Sequence, residues 1–148
     1  MNRFNGMRRR AAALALMLVA SVGANAECQL QHLNVRASQL RVGATTVNLG
    51  AADAGRRARA WQGPLVAGAC KLDLGIIEAP LVGATATLLY VPTYSGSVRR
   101  LTLVDLRSCS VRWQSAAFSG PLRIGPRALD LGGKRIALNA NCLPTTRR

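Results

Sequence analysis

One histidine and six carboxylates are all the acid–base material in 148 residues. A Ser–His–Asp or Cys–His relay would have to be built on His32, and no G-x-S-x-G turn accompanies it. The turn Tyr94-Ser95-Gly96-Ser97 reads as ordinary linkage between strands. Glycine-rich phosphate loops of the G-x-G-x-x-G or Walker type are missing, so no nucleotide cofactor is expected. There is no C-x-x-C pair, which removes zinc ribbons and thioredoxin-like redox sites. His32 stands four residues after Cys28, but no second histidine exists to complete a metal site, and none is expected. These shortages point away from an enzyme.

Long apolar runs are also missing. The longest, Ala11–Val22, has 12 residues, against about 20 needed to span a bilayer core as a helix. It follows Arg3 and Arg8-Arg9-Arg10 and precedes Ala24-Asn25-Ala26, the order of a cleaved secretory signal peptide. The arginine run is not extended into a twin-arginine motif. Glu27 stands where a lipidated cysteine would need a small neighbour. The expectation is a signal peptide at 1–26 and one domain at 27–148, periplasmic or secreted, with no transmembrane span.

What the chain does have is arginine, cysteine and glycine-punctuated alternation. Downstream of Ala26, 14 Arg and two Lys face six acidic residues, a net charge of +10. Apolar residues make up 49% of the sequence, enough to bury a core. Cys28, Cys70, Cys109 and Cys142 are spaced by 42, 39 and 33 residues. An even number in an exported small domain predicts two disulfides. Three pairings are open. The sequential one, Cys28–Cys70 with Cys109–Cys142, closes the shorter loops and is expected on that ground.

The sequence repeats itself. Gly63–Gly75 (GPLVAGACKLDLG) and Gly120–Gly132 (GPLRIGPRALDLG) share eight of 13 positions at an offset of 57. Leu40–Gly50 (LRVGATTVNLG) is a weaker third copy of Leu122–Gly132, and Leu81–Leu89 a fainter echo. Each unit is a short alternating strand, a glycine, a turn and a second short strand ending in glycine. Leu74 and Leu131 should then both face the core. Asp73 and Asp130 recur at the same place in the unit, which marks them as local turn residues rather than an acid/base pair. Unequal spacing, 25 and 57, argues against a tandem array.

Further strands are expected at Thr85–Tyr94, demoted or ended by Pro92, and at Arg99–Arg107, with a bulge near Val104–Asp105. Two more are expected at Cys109–Trp113 and Arg135–Cys142. Ala51–Ala60 is the one segment with short-helix character. Together these predict an all-β fold, a single disulfide-braced β-sandwich or barrel-like domain.

The charge suggests the partner. Arg56, Arg57 and Arg59 precede Trp61, and Arg99-Arg100 follow a Gly-Ser turn. Arginine beside an aromatic can hold an anion by charge and stacking. The expected function is a non-enzymatic binding protein for an anionic envelope polymer or an acidic protein, with Arg56, Arg57, Arg59, Trp61, Arg99 and Arg100 as contacts. Nucleic acid is not expected outside the cell.

Trp61–Cys70 (WQGPLVAGAC), Leu74-Gly75, and Leu101-Thr102-Leu103 through Leu106 to Cys109 resemble pilin subunits of chaperone–usher fimbriae. The resemblance covers about a third of the chain. It implies an incomplete immunoglobulin-like sandwich completed by a neighbour's strand, and hence a structural or accessory subunit of a surface appendage. It also implies the pairs Cys70–Cys109 and Cys28–Cys142. The chain departs from the family in ending Pro144-Thr-Thr-Arg-Arg148 rather than in an apolar strand, in having Cys28 and Cys142, and in its charge.

Overall fold

The computed structural model describes residues 27–54 and 57–145; the expected signal segment and Arg56 lie outside them. Fourteen strands and no helix are found among the described residues. They are β1 (Gln31–Leu33), β2 (Gln39–Val42), β3 (Thr45–Asn48), β4 (Ala60–Trp61), β5 (Leu65–Ala67), β6 (Cys70–Leu72) and β7 (Ile76–Glu78). There follow β8 (Leu81–Gly83), β9 (Leu88–Ser95), β10 (Val98–Asp105), β11 (Ser110–Gln114), β12 (Leu122–Gly125), β13 (Ala128–Leu131) and β14 (Lys134–Ala137).

They form three sheets. The largest runs β1-β8-β9-β10-β11, with β7 also on β9 and β4 on β7. A four-stranded sheet, β2-β3-β5-β6, packs on one face of it, and a three-stranded sheet, β12-β13-β14, on the other. The alternation of side chains along the central strands demonstrates this layering. Leu89 and Val91 of β9 enter the core under the four-stranded sheet, and Tyr90 enters the core under the three-stranded one. Leu81 and Val82 divide in the same way. A sheet covered on both faces needs apolar residues at consecutive positions, which is why LLYVP and LTLV are continuous runs. The expected bulge is present as a register shift between Leu103 and Val104 against β11.

Two expectations about local structure are corrected. β9 does not end at Pro92 but continues to Ser95. Leu101, opposite Pro92, directs both its backbone groups away to Ser115, whose Oγ accepts from the Leu101 N–H and whose N–H donates to the Leu101 carbonyl. Pro92 therefore sits at a non-hydrogen-bonded pair. Its nitrogen faces the side where the partner of β9 changes from β8 (at Leu89 and Tyr90) to β7 (at Thr93 and Tyr94), so no ladder bond is lost there. The described residues of Ala51–Ala60, 51–54 and 57–60, are not helical. Ala51 and Asp53 pair with the backbone of Gln62 and Ala60, folding the segment back along β4. Ten residues with a glycine and no apolar stripe offer a helix nothing to bury.

The disulfides are Cys28–Cys142 and Cys70–Cys109, not the sequential pairs. This is the pairing that the pilin resemblance implies. Chain topology overrides loop length here, because Cys28 and Cys142 flank one core and Cys70 and Cys109 border the other. Closing 114 and 39 residues restricts the unfolded chain by about 5 and about 4 kcal/mol on the loop-entropy model.

The repeat builds the outer layers. Its copies are the hairpins β2–β3, β5–β6 and β12–β13. The first two share one register, Leu40↔Val47 and Leu65↔Leu72. They turn at Gly43-Ala44 and Gly68-Ala69, opening on φ of 57° and 58°, the type II′ pattern. The third is shifted by two residues, pairing Leu122 with Leu131 and Ile124 with Leu129. Pro126 follows its glycine and takes the first central position, as proline does in a type II turn, and Arg127 takes the second at φ 52°. A two-residue shift preserves the inward face. Leu129 and Leu131 are buried, whereas Leu72 and Leu74 are half-buried at the border of their core.

Each copy ends in the same device. Asn48, Asp73 and Asp130 accept, through Oδ1, the backbone N–H of Gly50, Gly75 and Gly133 respectively. The closing glycines Gly50 and Gly132 have positive φ and lie against backbone. A Cβ on Gly50 would stand 2.1 Å from the Gly63 carbonyl oxygen, and one on Gly132 would stand 1.8 Å from that of Ser119.

Candidate functional site

The residues expected to grip an anion are separated by the fold. Arg57 and Arg59 are exposed on the segment that folds back along β4. Trp61, on β4 itself, points into the core at 2% exposure, its Nε1 without a partner among the described residues. It offers no face for stacking. Arg99 is a brace. Its Nε donates to Glu78 Oε2 at 2.8 Å, another nitrogen donates to the Gly120 carbonyl at 2.7 Å, and its guanidinium lies 4.9 Å from the Phe118 ring centre. Arg100 donates to the Ser115 carbonyl at 2.9 Å. Arg99 and Arg100 tie β10 to β7, to the segment after β11 and to the approach of β12. Sequence proximity to a turn gave no sign of these partners, which come from distant parts of the chain.

The carboxylates are all engaged within the molecule. Asp53 accepts from the Arg59 backbone, Asp73 and Asp130 close repeat turns, and Glu78 holds Arg99. Glu27 lies 3.9 Å from Arg127. Asp105 accepts the N–H groups of Arg107 and Ser108 and lies 3.8 Å from Arg112. Partial burial opposes its ionisation, but the amides of Arg107 and Ser108, with the Ser108 hydroxyl and the Arg112 charge, hold its carboxyl below the usual range. Among the described residues only Arg99, Arg112 and Arg127 have a carboxylate partner. Arg36, Arg41, Arg57, Arg59, Lys71, Arg107, Arg123, Lys134 and Arg135 are exposed cations without one.

Tyr90 is unavailable for chemistry. It is fully buried, its hydroxyl donates to the Cys142 carbonyl at 2.6 Å, its ring meets Trp113 edge-on at 6.4 Å, and burial raises its pKa. No group of three His, Cys, Asp or Glu able to hold a metal occurs among the described residues.

Two clefts have chemical character. One, of about 440 Å³, lies beside the Cys28–Cys142 bridge and is lined by Glu27, Thr85, Asp105, Arg112 and Asn141 among others. Asp105 and Arg112 in it pair with each other, and Glu27 pairs with Arg127 outside its lining. The second, of about 500 Å³, lies between β1 and the β2–β3 hairpin and is lined by His32, Asn34, Arg36, Gln39, Arg41 and Thr46, with Leu33 and Leu40. It contains two arginines and no carboxylate. Arg36 and Arg41 are isolated in the sequence and carry no local signal there; the turn at Ala37-Ser38 and the hairpin bring them together.

Compared with known proteins, the chain matches no family model, no curated protein and no solved structure. Fold and surface together define an all-β, disulfide-braced, layered sandwich with an excess of exposed arginine. No helix among the described residues is long and apolar enough to cross a membrane.

Proposed function

We propose that this is an exported, non-catalytic binding protein that holds an anionic component of the cell envelope through exposed arginines. The observation that carries the reading is the engagement of all six carboxylates in local or structural contacts, which leaves most cations uncompensated. Such a surface attracts anionic chains and orients them by guanidinium hydrogen bonding. Two closed disulfides and no free cysteine suit an oxidising compartment, periplasmic or extracellular.

The appendage-subunit reading draws support from the Cys70–Cys109 bridge. A donor strand also needs an open apolar groove. The large apolar side chains exposed among the described residues are Ile76, Val98 and Val111, on three different strands.

The test is binding of the purified, oxidised protein to lipopolysaccharide, a polyuronate and an acidic envelope protein across salt. Between about 0.1 M and about 1 M the Debye length falls from about 10 Å to about 3 Å. Affinity should fall steeply over that range. Binding indifferent to salt would overturn the reading and favour strand exchange.

A further inference from the structure

The cleft between β1 and the β2–β3 hairpin gathers two of the uncompensated arginines on one concave surface. Arg36 and Gln39 face each other across a two-residue turn, exchanging backbone hydrogen bonds of 2.8 and 2.9 Å. Gln39 and Arg41 alternate onto the same face of β2, and Thr46 of β3 lies opposite Arg41. Arg36, Gln39, Arg41 and Thr46 therefore share the outer face, with the bases of the two arginines diagonal neighbours, about 7–8 Å apart. The turn between Arg36 and Gln39 is strained. Ala37 and Ser38 both have positive φ, 47° and 61°, in a type I′ pattern that asparagine and glycine normally fill. Pairing on both sides holds it, and it fixes Arg36 against the hairpin.

The lining is as informative as the charge. Asn34, Gln39 and Thr46 donate and accept hydrogen bonds, as sugar hydroxyls do, while the arginine forks match carboxylate or phosphate oxygens. A neighbouring cleft of about 260 Å³ continues past Arg41 along Gln29, Gln31 and Thr85, again without a carboxylate. Both strands bordering the groove are edges, since β1 pairs only with β8 and β2 only with β3. The groove is thus long, polar and cationic, and no Phe, Tyr or Trp lines it.

From this we infer that the β1–β2 groove is a binding site for an acidic glycan, a polyhydroxylated chain bearing carboxylate or phosphate groups, with Arg36 and Arg41 holding the charges and Asn34, Gln39 and Thr46 the hydroxyls. The inference rests on the anionic-binder reading and assigns it a site. The glycan's charge can be uronate or sugar phosphate, and the probes separate these sources.

The experiment titrates the oxidised full-length exported protein with polygalacturonate, lipopolysaccharide, neutral dextran and polyglutamate at low salt. It compares the double variant Arg36→Gln/Arg41→Gln with Arg123→Gln/Arg135→Gln, which removes the same charge from the three-stranded sheet. The expected result is a loss of about ten-fold for the first pair and under about two-fold for the second, on one or both acidic glycans, with no binding of dextran. Arg36→Lys/Arg41→Lys, which keeps the charge but loses the fork, should fall between wild type and the glutamine pair. Equal losses for the two glutamine pairs would overturn this site and leave the general reading standing. Failure of the wild type to bind any anionic probe would overturn both. Polyglutamate bound in preference to either glycan would overturn the glycan assignment. Thermal melts of all variants are compared; since Arg36 and Arg41 are exposed, their melting temperatures should match that of the wild type.

Discussion

Arg41 and Arg123 occupy the same place in two copies of one sequence unit, LRVG and LRIG, yet they stand in different electrostatic surroundings. Arg123 lies opposite Asp130, with Arg135 on the far side of that aspartate. Arg41 lies opposite Thr46. Two of the differences between the copies decide this. A proline after the turn glycine moves the turn by one residue and the register by two, carrying the acidic position across from the arginine in β12–β13. In β2–β3 that position is filled by Asn48, which accepts the Gly50 N–H as an aspartate would but adds no charge. Equivalent arginines of the repeat thus face an aspartate across the strand pair in one layer and a threonine in the other.

The largest effect is expected at the glycines. Gly132→Ala puts a Cβ at 1.8 Å from a carbonyl oxygen at positive φ and should cost more than about 3 kcal/mol. Gly68→Ala has positive φ but open space, and should cost about 1–2 kcal/mol. Denaturant melts of the two variants check the pair. Equal costs would mean that backbone approach does not define the closing glycine.

The leucines of the two outer layers differ in depth as well. Leu129 and Leu72 are equivalent in the repeat, but Leu129 is fully buried and Leu72 half-buried. Leu129→Ala should destabilise by about 3–4 kcal/mol and Leu72→Ala by about half of that. Similar losses would show the two outer layers to be packed alike, against the register shift described.

A smaller effect concerns Asp105, which uses its side chain as the repeat aspartates do, to accept backbone N–H groups. Its folded-state carboxyl titrates below its unfolded value. The stability it contributes is therefore fully present above the ordinary carboxylate range and is lost as pH falls through the lower folded-state value. Asp105→Asn should flatten that part of the stability–pH curve, read by chemical denaturation from neutral to acid pH. An unchanged acid limb would remove Asp105 from the account.

Much of the fold was legible because it is written locally. Alternation marked β2, β3, β12 and β13, and a change of phase marked the bulge in β10. The repeat marked the outer hairpins before any sheet was known. The disulfide pairing was not legible from spacing, because it depends on which core each cysteine borders. Pro92 misled because proline is excluded only where its nitrogen must donate, and that depends on neighbouring strands far away in sequence. Ala51–Ala60 misled because composition carries no sign of the backbone pairing with β4. The candidate site was legible only as excess charge. Trp61 beside three arginines suggested a grip, but a two-residue strand turns it inward. Arg36 and Arg41, each alone in the sequence, meet only once the hairpin forms.

On the proposed reading, Arg41, which has no acidic residue opposite it, holds the anionic ligand by its position rather than by net charge. Moving the acid between the two hairpins separates these alternatives. Thr46→Asp places a carboxylate opposite Arg41, as Asp130 stands opposite Arg123, and Asp130→Asn removes the latter while keeping the turn acceptor. Affinity for the acidic glycan that the wild type binds best, measured at low salt, should fall about five-fold in Thr46→Asp and stay the same or rise slightly in Asp130→Asn. Wild-type affinity in Thr46→Asp, or a gain in Asp130→Asn as large as the loss expected of Thr46→Asp, would contradict the claim.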